Sequence, residues 1–591
     1  MLCFRQSVVV VLLFYALPSA TVDLAQCNID IQARLDNGTL SPSDPIFYYN
    51  GTSYLSQRDD LQLTILGCET SCPHSRDEFY DDIGPRLLTW LIPILLMIGN
   101  IHLPRIGFKH RVLIIFHHIG DPIDAMWSLL TKAEVWSRFY SMAQWNSDGR
   151  PDASSNPGTQ AVIWCAIEEL TGDMGSVVSL LREIHSESGH TLSRDDLNHI
   201  LAETADELVD SRTNEVLRAL LVIFNYLWSI IAAFVPSIGG TSSSQPGGRI
   251  GTAMFLSFII NSVMLSNTLS GFSSRRTCLR ILERYNRTVK ERGHRDQHLF
   301  SKIKARTSTW FFHGKNKKAQ PDDYIDAQPW NGAVYCFRPN KKLVPSHTPG
   351  DRSPFILLIL AALPVLASVS CAFAIIWITP TIGLSCRNLW VLSLGLVFLV
   401  SPILTWVFSL VASGKYHWYL TTAKDAMISL SVLTIVILSS TGLFNTCWCW
   451  SAVYSLGIHA HVILDPIDER KHYGLTLYPT LVGICLGLQL FAYISMYLIM
   501  RPGAHVFRLS EDEKMANYRT LGEDFMTLPP PAISPSLGPS HRRRSSAASI
   551  GERARSMSFG EPSPISSGAL SPEWQASEHP LLGSPRRGER S

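Results

Sequence analysis

Residues 355–378 read FILLILAALPVLASVSCAFAIIWI, an unbroken apolar run with no charged side chain. At about 1.5 Å of helical rise per residue such a run covers roughly 36 Å, more than the ~30 Å hydrocarbon core of a bilayer. Three further runs follow it, at 389–412, 426–446 and 475–500. Three precede it, at 87–103, 218–236 and 252–272. The reading is an all-α polytopic membrane protein with about seven transmembrane helices. Composition agrees: 46% of the residues are hydrophobic and 17% charged, and the mean hydropathy is +0.11, where a soluble chain carries roughly 25% charge. A formal charge of +2 excludes a strongly basic nucleic-acid binder.

Charge and processing signals set the orientation. Met1 to Ala20 has Arg5 ahead of a short apolar run and reads as a signal peptide, too short to span. Residues 21–85 then form a lumenal or extracellular segment with eleven acids against three arginines. Its sequons at Asn37 and Asn50 are glycosylation candidates. The segment 273–353 holds eighteen Lys or Arg and seven Asp or Glu, which the positive-inside bias puts in the cytosol. The N-terminus is therefore expected outside and the C-terminus inside. The expected order is 1–20 signal peptide, 21–85 ectodomain, 86–103 first span, 104–217 cytosolic helical loop, and 218–272 second and third spans. A basic cytosolic loop at 273–353, spans four to seven at 354–500 and a largely disordered tail at 501–591 complete it. Val112–Trp127, interrupted by His117, His118, Asp121 and Asp124, reads as interfacial or cytosolic.

Six cysteines fall outside on this topology: Cys27, Cys68, Cys72, Cys386, Cys447 and Cys449. An even number in an oxidising compartment allows three disulfides in any of fifteen pairings, and Cys68 and Cys72 are close enough to pair locally. His459, His461, Asp465, Asp468 and His472 cluster before the last span, but their irregular spacing reads as a hydrogen-bonded cap. The basic residues within 275–295 suit anionic lipid headgroups, and no base-reading motif accompanies them. The Pro- and Ser-rich tail offers Ser545, Ser546 and Ser584 to cytosolic kinases. Gly120-Asp-Pro-Ile-Asp124 echoes Leu464-Asp-Pro-Ile-Asp468 on the opposite side and reads as coincidence.

Two stretches resemble a known group: Cys68-x3-Cys72 leading into Thr89-Trp-Leu-Ile-Pro-Ile-Leu, and Gly120-Asp-Pro-Ile-Asp-Ala-Met-Trp-Ser-Leu-Leu-Thr-Lys132. They are similar to multi-spanning membrane proteins of filamentous fungi with a signal peptide, a Cys-containing ectodomain and a long cytosolic tail. The resemblance covers residues 65–135 and the overall layout. It implies membrane class and fungal origin, and no activity.

The interiors of the seven runs contain no Asp, Glu, Lys or Arg. Ion-coupled carriers need ionisable groups within the membrane, so this omission weighs against one. No phosphate-binding Gly-rich loop, zinc-protease helix or nucleophile elbow is present. No catalytic, cofactor-binding or metal-ligating residue is nominated, and the chain is not expected to be an enzyme. The expectation is a receptor-like or scaffold protein of the secretory pathway, residing in the plasma membrane. The alternative is a transporter or channel for an uncharged small molecule such as a fungal metabolite. Its polar path would run along the third span, through Asn261 and Asn267.

Overall fold

A computed structural model of the chain describes residues 22–72 (apart from 23, 58 and 59), 83–102, 108–148, 157–171, 194–212, 216–239, 247–269, 275–293, 354–464 (apart from 380, 413, 414 and 443) and 476–527. The expected signal peptide, Asp465, Asp468, His472 and the three tail serines lie outside these residues. The chain divides into two units at Gly522, and of the second only the helical stretch to Thr527 is described.

The described residues are mostly helical, at 82%. Five helices are long and apolar enough to cross a membrane: Ile250–Thr268, Phe355–Ile378, Cys386–Phe408, Tyr419–Thr441 and Tyr478–Phe507. The other two expected runs lie on α3 (Ile83–Gly99) and α8 (Val216–Gly239); the shorter apolar helices are Val216–Ala232 of α8 and Arg111–Gly120, outside the seven runs. Before α3 come α1 (Leu24–Asp36) and α2 (Ile65–Ser71). Between α3 and α8 lie α4 (Phe108–Gly120), α5 (Pro122–Asp148), α6 (Pro157–Thr171) and α7 (Arg194–Asp210). Then follow α9 (Gly247–Phe255), α10 (Ile259–Thr268), α11 (Arg275–Gly293), α12 (Pro354–Ile378), α13 (Cys386–Val411), α14 (Lys415–Thr441) and α15 (Tyr478–Thr527).

The sequence does not treat these helices alike, and neither does the packing. In the helix formed by α9 and α10, 89% of the apolar window is buried by protein, against 28–39% in the other four. The others keep large apolar side chains such as Phe355, Leu396, Trp406 and Phe491 exposed on their outer faces, as lipid-facing helices do. The central helix is interrupted at Leu256–Phe258, where the bonds shorten to i→i−3: Ser257 N donates to the Met254 carbonyl and Ile260 N to that of Ser257. Neighbours bond several of its polar side chains, whereas the Asn261 amide nitrogen is buried without a hydrogen-bond partner among the described residues. Gln489 Nε2 on α15 donates to Ser257 Oγ (2.6 Å) and Ser368 Oγ (2.9 Å), and Asn267 Nδ2 donates to the Asn100 carbonyl (2.8 Å).

At one end sits a small cap with its own core, in which Ile31, Phe47, Leu61 and Leu63 pack against Trp450 and Val462. Its sheet has the order β1-β2-β3, all antiparallel, from β1 (Ser56–Gln57), β2 (Asp60–Thr64) and β3 (His461–Ile463). The ectodomain segment and the loop after α14 thus form one body. Two disulfides tie it, Cys27–Cys72 and Cys68–Cys447. The local Cys68–Cys72 pairing does not form, because Cys72 is bonded to Cys27. Cys386 and Cys449 take part in neither of these two bonds. Asn37 and Asn50 lie exposed on turns of this cap.

Candidate functional site

The expected cytosolic or interfacial stretch around Asp121 is instead packed into the bundle. α4 lies along α14. Their approach depends on Gly120, where a Cβ would fall on the backbone carbonyl of Asp425. Asp121 then breaks the helix. Its Oδ1 accepts from Asp124 N (3.1 Å), capping α5, and Pro122 follows at the first helical position, where no N–H is needed.

The sixth span also differs from its expected position. Read from hydropathy it starts at Ala426, which leaves Lys424 and Asp425 outside; the helix in fact begins at Lys415 and its apolar window at Tyr419. Both charged residues are thereby carried inside. The rule that span interiors lack charge fails at this helix.

Together these shifts assemble a buried cluster from α4, the α4–α5 break, α13 and α14. His117, Asp121, Asp124, Lys424 and Asp425 are each 3% exposed or less. His117 Nδ1 bonds Asp425 Oδ2 at 2.7 Å, and its Nε2 lies 3.8 Å from Asp124 Oδ2. Lys424 Nζ sits 2.5 Å from Asp121 Oδ2, 3.0 Å from Asp425 Oδ1, and 2.7 Å from both Ser401 Oγ and Thr405 Oγ1. The Ser401 carbonyl adds a fifth oxygen at 3.2 Å. Three ammonium protons thus serve five oxygens. Beside the cluster, His118 Nδ1 bonds Ser262 Oγ of α10 (2.6 Å).

The charge sum is the informative quantity. Three carboxylates face one ammonium and one imidazole, so with every carboxyl ionised the cluster is negative whichever form His117 takes. Removing an uncompensated charge from water costs several kcal/mol even after relaxation, and buried acids respond by taking up protons. The arrangement thus gathers three carboxyl groups and an imidazole around one ammonium, out of water.

The other nominated residues are placed elsewhere. His461 stacks on Tyr48 (4.2 Å between centroids) and bonds the His459 carbonyl through Nδ1 (2.9 Å). Among the described residues no group of three or more His, Cys, Asp or Glu could hold a metal ion. The basic helix α11 buries Cys278, Ile281, Leu282 and Tyr285 against α6 and α7, and Arg284 pairs with Glu207. A second buried pair, Lys132–Glu169 at 3.4 Å, joins α5 to α6.

The signals for the cluster were present in the sequence. Gly120-Asp-Pro gives a close approach followed by a helix start, and Lys424-Asp425 opens an apolar run. No family model matches the chain, and no curated protein or solved structure is detectably similar to it.

Proposed function

We propose that this protein is a membrane carrier for a small uncharged solute, driven by proton movement through the cluster around Lys424. One observation carries the reading: an excess of buried carboxylates bridging three separate parts of a helical bundle. Ionisable side chains within a membrane protein's interior are costly and mark ion pathways and proton relays. Helices broken at such a site, as at Asp121 here, let backbone and side chains rearrange there.

A seven-span arrangement with the N-terminus outside suits this reading, and the disulfide Cys68–Cys447 supports its parity. Its two sulfurs share one side of the membrane, so the chain crosses an even number of times between them. Four of the candidate spans lie in that interval. Crossings by α3 and α8 raise the number to six, α4 with its 13 residues being too short to cross, and Tyr478–Phe507 makes seven. The oxidising side is then the cap's side, which fits a protein of the secretory pathway and the plasma membrane.

The test compares solute distribution between cells and medium in a deletion strain, its parent and an Asp121→Asn strain of the source organism. The deletion is expected to shift one uncharged compound between the two, Asp121→Asn to reproduce that shift, and a protonophore to mimic it in the parent. An unchanged distribution in the deletion strain defeats the carrier reading and leaves the receptor-like or scaffold role.

A further inference from the structure

The cap contains a second feature that the carrier reading does not use. Residues 383–387, which lead into α13, are laced to residues 449–455. Leu384 N donates to Ser455 Oγ (3.0 Å), Tyr454 N donates to the Leu384 carbonyl (3.2 Å), and Arg387 Nε donates to the Cys449 carbonyl (3.0 Å). The Arg387 guanidinium also lies 3.7 Å over the Trp450 ring. Two backbone conformations allow this approach. Ala452 is left-handed (φ 51°) and reverses the loop, and Gly383 (φ 142°) passes where a Cβ would strike Ser455 and Ala452.

This lacing brings two cysteines together. The Cys386 and Cys449 side chains hydrogen-bond to one another, both are buried, and both belong to the end of the molecule already closed by two disulfides. We propose that Cys386 and Cys449 form a third disulfide, which fastens the first turn of α13 to the cap. The bond to Cys386, followed by burial, pushes the Cys449 thiol well above the ordinary thiol range. Cys386 begins α13 and hydrogen-bonds the side chain of Tyr454, which is exposed.

The exchange balances as follows. The two thiols lose two protons and two electrons and one S–S bond forms between them. An external disulfide, glutathione disulfide or that of a thiol oxidoreductase, is cleaved to two thiols. Proximity alone does not suffice, and the molecule contains its own contrast. Cys371 of α12 and Cys485 of α15 also bond to one another, but they lie inside apolar spans where neither a thiolate nor an oxidant is accommodated.

The test is a two-step thiol label on native membranes of the full chain. Free thiols are alkylated under denaturing, non-reducing conditions, and the rest are reduced and given a second reagent. Cleavage after Trp448 separates Cys447 from Cys449 for mass spectrometry. The expected result is the second label on Cys386 and Cys449, a joined 386–449 peptide before reduction, and the first label on Cys371 and Cys485. First label on Cys386 and Cys449, or either of them joined to another cysteine, overturns the proposal. In Cys386→Ser, first label at Cys449 is expected to rise from none to one per chain; the wild-type result decides the question even where that variant is not produced.

Discussion

The cap and the charged cluster both join distant parts of the chain, by opposite means. In the cap, residues 22–72 meet residues 445–464 through apolar packing, a three-stranded sheet and two covalent bonds. In the cluster, α4, α13 and α14 meet through charges whose sum does not vanish. The cap gains stability from almost every contact it makes. The cluster spends much of its Coulomb attraction on desolvation, and on the carrier reading proposed above it is there for the work it does rather than for strength. A stable joint and a working joint can thus be told apart by their chemistry.

That contrast can be tested by removing single groups. The largest effect is expected for Lys424→Met, which takes the ammonium away from Asp121 and Asp425. It should lose about 3–5 kcal/mol, read as thermal unfolding of the purified protein in detergent. Adding Asp121→Asn should restore part of that loss, with a coupling of about 0.5–3 kcal/mol. A neutral Lys424→Met would show that the site is hydrated and would erase the contrast. Next, Cys68→Ser should cost about 2–4 kcal/mol and open the cap to proteases while the bundle stays protected; equal sensitivity of both would merge the two regions into one. Gly120→Ala, which forces α4 from the Asp425 carbonyl, should cost about 1–3 kcal/mol by overpacking, again by thermal unfolding. The smallest change belongs to Gln489→Leu, which removes the bonds to Ser257 and Ser368. A membrane-buried hydrogen bond is worth about 0.6 kcal/mol and at most about 1.7, so a larger loss would mark that network as more than packing.

The apolar helices were legible because hydropathy over some twenty residues reports directly on burial in lipid or protein. The third to seventh runs, the third diluted by Ser257, Asn261, Ser262, Ser266 and Asn267, each coincide with a helix long and apolar enough to cross. The cluster was not legible, for a related reason. A span delimited by its uncharged residues ends where a charge appears, so Lys424 and Asp425 were trimmed from the very helix that buries them. Likewise His117, His118 and Asp121 marked their segment as polar, although their partners Asp425, Ser262 and Lys424 lie more than a hundred residues away. Periodicity cannot supply a partner at that distance. In the cap, the cysteines were legible as a set but their pairing was not, since the sheet that aligns Cys68 with Cys447 joins segments from opposite ends of the described chain.

The separation of 379 residues between Cys68 and Cys447 also fixes an order of events on the ribosome. At about 5–20 residues per second, roughly 20–75 s pass between the emergence of one cysteine and the other. On the secretory-pathway reading proposed above, Cys68 waits throughout that interval in an oxidising lumen only four positions from Cys72, the partner it must not take. Cys27–Cys72, with a separation of 45 residues, can close soon after translocation begins and occupies Cys72 first. The short bridge therefore acts as a guard for the long one, and the last strand of the sheet arrives to find a single thiol waiting for it.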